Sequence, residues 1–281
     1  MISPPIKPPF TYFGGKLKLS EHIVSLLPPH KHYVEPFAGS LAVLLAKPPS
    51  QMETVNDLDG VLMTFWRVLR ERPDDLERVC ALTPHSRGEE SASSDLSGHD
   101  DLETARRVWV RLTQGRGGHL WRGIGWRHYQ DPRGSGSSMA EYLETYVARL
   151  APAARRLRSV SLECKPALEV IQSYGRHPGC LIYADPPYLK STRTWANGNG
   201  YGHEMTTDEE HSELLEALLG CRAAVVLSGY ASELYDGLLT AWFRREIATL
   251  ADNGGSDRAR VEVLWSNRPF PQGSLFDLEA S

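Results

Sequence analysis

The residues best suited to chemistry form the loop Asp185-Pro186-Pro187-Tyr188, which directly follows the strand-forming run 180–184. Because each proline fixes its own φ angle and disfavours a helical backbone at the residue before it, the loop should be rigid. It can hold two acceptors, the Asp185 carboxylate and the Pro186 carbonyl, toward the two N–H donors of one amino group. That grip aims the lone pair of a weakly nucleophilic, ring-conjugated amine at an electrophile.

The same loop supplies the remaining parts of such a reaction. The amine nitrogen becomes acidic only as the new bond forms, so an ordinary Asp185 carboxylate can take its proton. Tyr188 offers an aromatic face on which a nucleobase, extruded from a duplex, can stack. The alternative is a proline-rich turn with no function, and the preceding buried strand argues against it, because ligands sit beyond the carboxyl ends of such strands.

A second candidate site lies where a predicted strand ends at Glu35-Pro36-Phe37 and a glycine turn, Gly39, leads into a helix. Glycine lets the backbone approach a ligand closely, and a helix start offers free N–H groups to a carboxylate. About twenty residues later, Asp57 ends the next predicted strand, where an acid can bind both hydroxyls of a ribose. The pair indicates a nucleoside site, although a glycine turn without a ligand is the alternative.

A third motif opens the chain. The run Thr11-Tyr12-Phe13-Gly14-Gly15-Lys16 places an aromatic ring, two permissive glycines and a lysine directly before a helix. A flexible leader whose lysine merely begins the helix explains the motif equally well, and this alternative stays open.

Alternating strands and helices must position these motifs. The predicted strands are 32–37, 52–55, 159–163, 180–184, 223–227, 243–250 and 259–266. The predicted helices are 17–27, 41–46, 58–69, 166–174 and 207–219, with further helical stretches near 102–112 and 139–150. The alternation predicts an α/β fold whose sheet is mainly parallel with an antiparallel edge.

Residues 72–156 break the alternation and are predicted to be an inserted module. Arginines outnumber acids between 103 and 133, whereas acids gather at 89–101 and 204–216. Within the module, arginines alternate with glycines and aromatic residues, so phosphate contact and base reading are plausible chemistry for it. The candidate nucleic-acid-binding residues are Arg116, Trp121, Arg122, Trp126 and Arg127. A surface loop with structural tryptophans is the alternative.

Bulk composition narrows the classes of protein. The 281 residues are 41% hydrophobic, enough for one large domain or a core domain with an insertion. The net charge of −4 carries no global nucleic-acid signature, so any basic footprint must be local. Four scattered cysteines show no paired spacing, so no metal and no redox motif is expected. Apolar runs are too short to span a membrane and no signal segment opens the chain, which predicts a soluble cytoplasmic protein.

Four blocks, in order, resemble the Dam-type N6-adenine DNA methyltransferases of prokaryotes and phages. They are Tyr12 to Lys16, Glu35 to Gly39, the acidic turn at Asp57, and Asp185 to Tyr188. The resemblance implies a Rossmann-like methyltransferase fold, S-adenosylmethionine as cofactor and double-stranded DNA as substrate. It departs from the family at Leu41, where many members carry a second glycine, and this puts the geometry at the methionine end of the cofactor in question.

The resemblance also assigns residues and domains. It implies catalytic roles for Asp185, Pro186, Pro187 and Tyr188. It implies cofactor contacts for Tyr12, Gly15, Lys16, Glu35, Phe37, Ala38, Gly39, Ser40, Asp57, Glu163, Cys164 and Asp185. The catalytic domain would comprise residues 1–71 and 157–268, the insertion 72–156 would recognise the target, and 269–281 would be a flexible tail.

Several alternatives and one partner stay open. RNA adenine or a protein glutamine amide could be the methyl acceptor, or the chain could be a DNA-binding regulator on a degenerate fold. Residues 189–205 could be a lid over a flipped adenine or a plain connector. The tail run Gln272-Gly273-Ser274-Leu275-Phe276 resembles the peptide that replication and repair proteins insert into the bacterial DNA sliding clamp. Restriction-modification and association with the nucleoid through DNA are further expectations.

Overall fold

A seven-stranded sheet forms the framework in a computed structural model that describes residues 5–123, 125–129, 138–189, 205–249 and 260–271. The strands are β1 (His32–Glu35), β2 (Met52–Asn56), β3 (Val160–Glu163), β4 (Cys180–Ala184), β5 (Ala224–Gly229), β6 (Phe243–Thr249) and β7 (Arg260–Ser266). Their order in the sheet is β3-β2-β1-β4-β5-β7-β6. Strands β1 to β5 are parallel, and β7 pairs antiparallel with both β5 and β6. The predicted α/β sheet with an antiparallel edge is confirmed.

The helices cover both faces of this sheet and fill the chain between β2 and β3. They are α1 (Ser20–Ser25), α2 (Ala42–Ala46), α3 (Gly60–Glu71), α4 (Pro73–Leu82), α5 (Arg87–Ala92), α6 (Asp101–Gln114), α7 (Met139–Val147), α8 (Leu150–Leu157), α9 (Ala167–Tyr174), α10 (Asp208–Leu219) and α11 (Glu233–Leu238). No helix in the described ranges is long and apolar enough to cross a lipid bilayer.

Helix α5 lies in a stretch, 84–101, where serine, glycine and acids suggested no element. The Ser86 hydroxyl accepts the Glu89 N–H and so caps the helix. This cap stabilises α5, in which no residue is buried. Helix α4, also not predicted, begins with Pro73 in its first turn, where proline costs no hydrogen bond. A side-chain cap thus begins α5, whereas α4 begins with a proline in its first turn and buries Leu76 and Cys80.

The helices of the predicted insertion share one hydrophobic core with the sheet. Trp109 of α6 and Leu157 of α8 are fully buried in the same cluster as Tyr33 of β1 and Trp66 of α3. In addition, Arg156 of α8 pairs with the buried Glu53 of β2. The start and end of the segment 72–156 are therefore packed against the sheet, and its division into a separate module stays a prediction.

The sheet creates a crevice between β1 and β4, the two parallel neighbours from which successive crossovers depart in opposite directions. Ligands of open α/β sheets bind at this switch point, beyond the carboxyl ends of the strands. On the β1 side, Asn56 at the end of β2 links the segments that follow β1 and β3, because its amide donates to the carbonyls of Pro36 and Lys165 and accepts the Lys165 N–H at 2.8 Å.

Candidate active site

A cavity of about 300 Å³ opens at the carboxyl ends of β1 and β4. Its wall brings together the three sequence motifs, which lie up to 170 positions apart along the chain. The predicted site residues in the wall are Tyr12, Gly15, Lys16, Glu35, Phe37, Ala38, Gly39, Ser40, Asp57, Asp185 and Pro187. Pro186 and Tyr188 belong to the same loop as Asp185 but do not contribute to this wall.

The leader motif packs directly on the glycine turn. Gly39 has a φ angle of +48°, and a Cβ there would lie 3.2 Å from the Tyr12 ring. A Cβ at Gly15 would lie 2.9 Å from the Tyr12 carbonyl oxygen and 3.1 Å from Ser40 Oγ. Both glycines are therefore required for the close approach of the two segments, and the leader is part of the cavity wall.

Leu41 occupies the position at which the resembled family often has glycine. Its φ angle is 55° and its ψ angle 28°, the left-handed conformation that glycine adopts without strain. Its side chain is fully buried. The turn therefore keeps the backbone shape that a second glycine would give, and burial of the leucine side chain offsets the strain.

Asp57 is held in a fixed orientation at the end of β2. Its Oδ2 accepts the Gly39 N–H at 2.9 Å, and its Oδ1 accepts the Asp59 N–H at 3.0 Å. One N–H of the glycine turn that was predicted to face a ligand is thus used to position this carboxylate. Each oxygen keeps acceptor capacity toward the cavity, since a carboxylate oxygen can accept two hydrogen bonds.

The Asp185 carboxylate forms an ion pair with a buried lysine. Lys16 Nζ lies 2.7 Å from each Asp185 oxygen, and the Lys16 side chain is only 6% exposed. The ammonium also lies 4.8 Å from the centre of the Tyr188 ring, over one face of it. The pKa of Asp185 is raised to about 6. Burial is the main cause and the negative charge of Glu262 adds to it, whereas Lys16 acts in the opposite direction.

Glu35 is a second buried acid in the cavity wall. The Tyr33 hydroxyl donates to Glu35 Oε2 at 2.9 Å, and the glutamate is 3% exposed. Burial raises the pKa of Glu35 to about 8, although the hydrogen bond from Tyr33 favours the carboxylate. At neutral pH the Glu35 side chain is therefore mostly protonated. Of these two acids, Asp185 is the one that is ionised.

Two predicted cofactor residues lie outside the cavity wall. Glu163 at the end of β3 accepts the Tyr174 hydroxyl at 2.7 Å and pairs with Lys165 at 2.9 Å. The Cys164 side chain is exposed, and its Sγ lies 3.9 Å from the Leu58 carbonyl oxygen. The wall is completed on this side by Pro166, Ala167 and Leu168 at the start of α9.

The acidic stretch at 89–101 and the arginine-rich stretch that follows it pair with each other. Arg106 binds Glu89 and Glu103, and Arg107 binds Glu103. Arg111, buried in α6, binds Glu90 and donates to the Leu120 carbonyl. Fewer arginines are therefore available to bind nucleic acid than the sequence suggested, because these three arginines form ion pairs within the protein.

The five residues predicted to bind DNA fall into two groups. Trp121 is 47% exposed, and its indole N–H donates to Asp59 Oδ2, at the rim of the cavity. Arg122 is half-buried, whereas Arg116 is exposed and its Nε donates to the Trp126 carbonyl at 3.2 Å. Trp126 instead stacks between His85 and His128, and the Arg127 guanidinium lies over the Tyr142 ring.

Several residues in or beside the site have no sequence signal. Helix α10 supplies Glu210, Glu213 and Leu214 to the wall, and Met205, three residues before the helix begins, also lines it. Glu262 of β7 lies 3.8 Å from Lys16 Nζ, and it accepts a hydrogen bond from Ser228 of β5. The helix itself was predicted as 207–219, but nothing in its sequence indicated that its residues line the cavity. No metal-binding group of three or more His, Cys, Asp or Glu side chains occurs among the described residues.

A cavity at the sheet's switch point, lined by a glycine turn, an aspartate at the end of β2 and a proline-rich acidic loop, is typical of an α/β enzyme that binds a nucleoside-containing cofactor. The model of the D12 class N6 adenine-specific DNA methyltransferases matches residues 12–94 and 142–246. These segments make up more than half of the chain. The chain belongs to this family.

The chain is also similar to a related methyltransferase sequence and to two solved structures. A Type II methyltransferase of Lactococcus lactis subsp. cremoris, M1.LlaDCHI, is 26% identical over 277 residues, which cover 91% of this chain and 92% of that protein. An rRNA methylase structure from Streptococcus thermophilus is 11% identical, covers 94% of this chain and 98% of that one, and gives a TM-score of 0.36. A SAM-dependent methyltransferase from Agrobacterium tumefaciens is 11% identical, covers 90% and 61%, and also gives 0.36.

The chain is an adenine-specific DNA methyltransferase, and its methyl donor is S-adenosylmethionine. The cavity fits this cofactor in the chemistry of its wall. Apolar side chains such as Phe37 and Leu168 suit an adenine ring, Asp57 suits ribose hydroxyls, and Lys16 suits a carboxylate. The close-packed glycines, Gly15 and Gly39, leave the space that a Cβ would fill.

We predict that Glu35 makes the stability of the enzyme depend on pH. The folded state keeps the Glu35 proton from the ordinary pKa of 4.5 up to about 8, whereas the unfolded state loses it at 4.5. Because the folded state then binds more protons, the free energy of unfolding falls as pH rises through this range. Glu35→Gln should remove this fall in thermal or urea denaturation between pH 5 and 9. The exposed Glu169→Gln is the control and should keep the wild-type pH dependence. If Glu35→Gln also keeps it, the prediction is wrong.

Proposed function

We propose that the chain methylates N6 of an adenine that has been flipped out of double-stranded DNA, with the Asp185–Tyr188 loop as its catalytic centre. The observation that carries this proposal is the position of the Asp185 carboxylate: it lines the cavity beside the glycine turn and is held by Lys16 from the leader. The grip by Asp185 and the Pro186 carbonyl suits an amine with two N–H donors.

S-adenosylmethionine supplies an electrophilic methyl group on a sulfonium. Asp185 and the Pro186 carbonyl orient the amine, and Asp185 accepts its proton after the methyl has transferred. Lys16 helps to keep Asp185 ionised despite its burial, because its positive charge opposes the rise in pKa. Tyr188 provides a face for the flipped base on the side of its ring opposite the Lys16 ammonium.

The cofactor assignment follows the cavity wall. Asp57 binds the ribose hydroxyls, and Lys16 with the glycine turn binds the methionine end. The predicted adenine contacts at Glu163 and Cys164 are better supplied by the neighbouring segment Pro166 to Leu168, which forms the wall. We retain Glu163 as a residue that orients this segment through Tyr174 and Lys165.

Target recognition is proposed for the insertion, with 1–71 and 157–268 as the catalytic domain. The family match leaves residues 95–141 uncovered, so the segment most specific to this chain contains all five predicted DNA-binding residues. Trp121 and Arg122 lie next to the cavity rim through the Asp59 hydrogen bond. The homology to a Type II methyltransferase supports a role in restriction-modification, and association with the nucleoid would follow from DNA binding. The predicted lid, apart from Leu189 and Met205, lies outside the described residues.

Asp185→Ala tests the catalytic assignment. It should lower methyl transfer to duplex DNA about a thousandfold or more, because the amine loses its acceptor, while cofactor affinity changes only a few-fold. Asp57→Ala should have the opposite profile, with cofactor affinity reduced about tenfold or more. Tritium transfer and calorimetric binding measure the two effects, and exposed Asp74→Ala is the control. Near-normal transfer by Asp185→Ala would end the proposal, and greater transfer to RNA than to duplex DNA would change the substrate.

Arg116 and Arg122 test the DNA assignment. Their joint replacement by alanine should raise the Kd for duplex DNA about tenfold and reduce its dependence on salt, because fewer phosphate-bound counterions are released. Exposed Arg176→Ala, at the amino ends of the strands and away from the cavity, should leave both unchanged. DNA affinity that is equal in the double variant and the control, measured by fluorescence anisotropy, would place the interface elsewhere.

The tail run Gln272–Phe276 lies outside the described residues, and its proposed partner is the bacterial DNA sliding clamp. A peptide with this sequence should bind purified clamp with micromolar affinity, since the Leu-Phe pair suits an apolar groove. Phe276→Ala in the full-length enzyme should remove clamp binding and leave methyl transfer intact. Absence of binding, or binding that survives Phe276→Ala, would remove the clamp as a partner.

A further inference from the structure

A buried glutamate, Glu262, lies beside the catalytic loop and has no part in the reaction described so far. It is 4% exposed. Strand β7 runs antiparallel to β5 with Val263 opposite Gly229, the last residue of β5. The first residues of β7 therefore lie at the carboxyl edge of the parallel strands, where the cavity opens. This topology brings Glu262 to the site although it follows Asp185 by more than seventy positions.

The Glu262 carboxylate is surrounded by donors. Its Oε1 accepts the Tyr188 hydroxyl at 2.6 Å and the Ser228 hydroxyl at 2.5 Å, and Lys16 Nζ lies 3.8 Å away. A buried carboxylate is costly unless such partners offset its desolvation. These contacts tie the end of the catalytic loop to two central strands of the sheet.

Glu262 also contacts both groups that hold Asp185. The Tyr188 hydroxyl lies 3.3 Å from Asp185 Oδ1, and Lys16 bonds both Asp185 oxygens. From this geometry we propose that Glu262 is a positioning residue for methyl transfer: it fixes the Tyr188 hydroxyl and shares Lys16, so that Asp185 stays oriented toward the substrate amine. The inference rests on the catalytic role proposed for Asp185.

The negative charge of Glu262 has a consequence separate from its hydrogen bonds. The titratable groups that face Asp185 are Lys16, Glu35, Tyr183, Tyr188, Tyr235 and Glu262. Glu262 raises the pKa of Asp185, because two carboxylates of like charge disfavour each other's ionisation. Without that charge the pKa of Asp185 falls, and its carboxylate survives to lower pH.

Two substitutions separate charge from hydrogen bonding. Glu262→Gln keeps an oxygen acceptor and removes the charge, so the acid limb of the single-turnover rate should move to lower pH while the rate at pH 8 stays within about threefold. Glu262→Ala removes both, and the rate at pH 8 should fall about tenfold or more with KM for DNA and cofactor within about twofold. A merely structural residue would not shift the pH profile.

Controls isolate the route through Tyr188. Glu246→Gln, on the neighbouring strand β6, replaces a largely exposed glutamate paired with Arg244 and should leave the pH profile unchanged. In a Tyr188→Phe background the hydroxyl is absent, so the loss caused by Glu262→Ala should be much smaller than in the wild type. Melting temperature and cofactor affinity verify folding, and if Glu262→Ala does not fold, the Glu262→Gln profile decides alone.

The outcomes distinguish this inference from the proposed function. A wild-type acid limb in Glu262→Gln, or an undiminished loss from Glu262→Ala in the Tyr188→Phe background, would overturn the role of Glu262. Asp185→Ala is assayed in parallel. If that variant stays active, the proposed catalytic centre fails, whereas an inactive Asp185→Ala with an unshifted Glu262→Gln profile defeats only the positioning role.

Discussion

The ion pair between Lys16 and Asp185 is the interaction on which the site depends. A carboxylate with the burial of Asp185 loses much of its hydration, and without a cation beside it the protonated form would be favoured. Lys16 supplies that cation at 2.7 Å from a segment 169 positions earlier in the chain. Its own burial is tolerated because a second carboxylate, Glu262, lies within 4 Å. The two acids and one ammonium leave the site with a net negative charge, which suits a cofactor that carries a positive sulfonium.

This arrangement constrains the rest of the fold. The leader that carries Lys16 can reach Asp185 only by crossing the glycine turn after β1, and it does so where Gly15 and Gly39 leave no room for a Cβ. The turn keeps its shape because Asp57 accepts the Gly39 N–H and because Leu41 adopts a left-handed backbone. The leader, the glycine turn and Asp57 thus form one packed unit, on which both the proposed cofactor site and the orientation of Asp185 depend.

Much of the framework could be predicted from the sequence, because it depends on local patterns. Strand β4 was predicted at its observed bounds, since an unbroken apolar run ended by Asp-Pro-Pro has few other interpretations. The prediction missed α5, whose capping serine lies in a polar stretch, and the ion pairs between the acidic and arginine-rich stretches. It also missed Glu262, because its role follows from the antiparallel insertion of β7, which no spacing along the chain reveals. Long-range pairing, not composition, determines these contacts.

The leader has a second set of contacts, which links the segment that carries Lys16 to the insertion. The Phe13 N–H donates to the Gly118 carbonyl at 2.8 Å, and the Thr11 hydroxyl donates to the Leu112 carbonyl at 2.6 Å. Gly118 has a φ angle of +67°, and a Cβ there would lie 3.0 Å from the Tyr12 nitrogen. Phe13 precedes Lys16 by only three residues, so these contacts lie close to the segment that holds Asp185. The leader therefore packs on the arginine- and tryptophan-rich loop as well as on Asp185, and the proposed recognition region and the proposed catalytic carboxylate share this support.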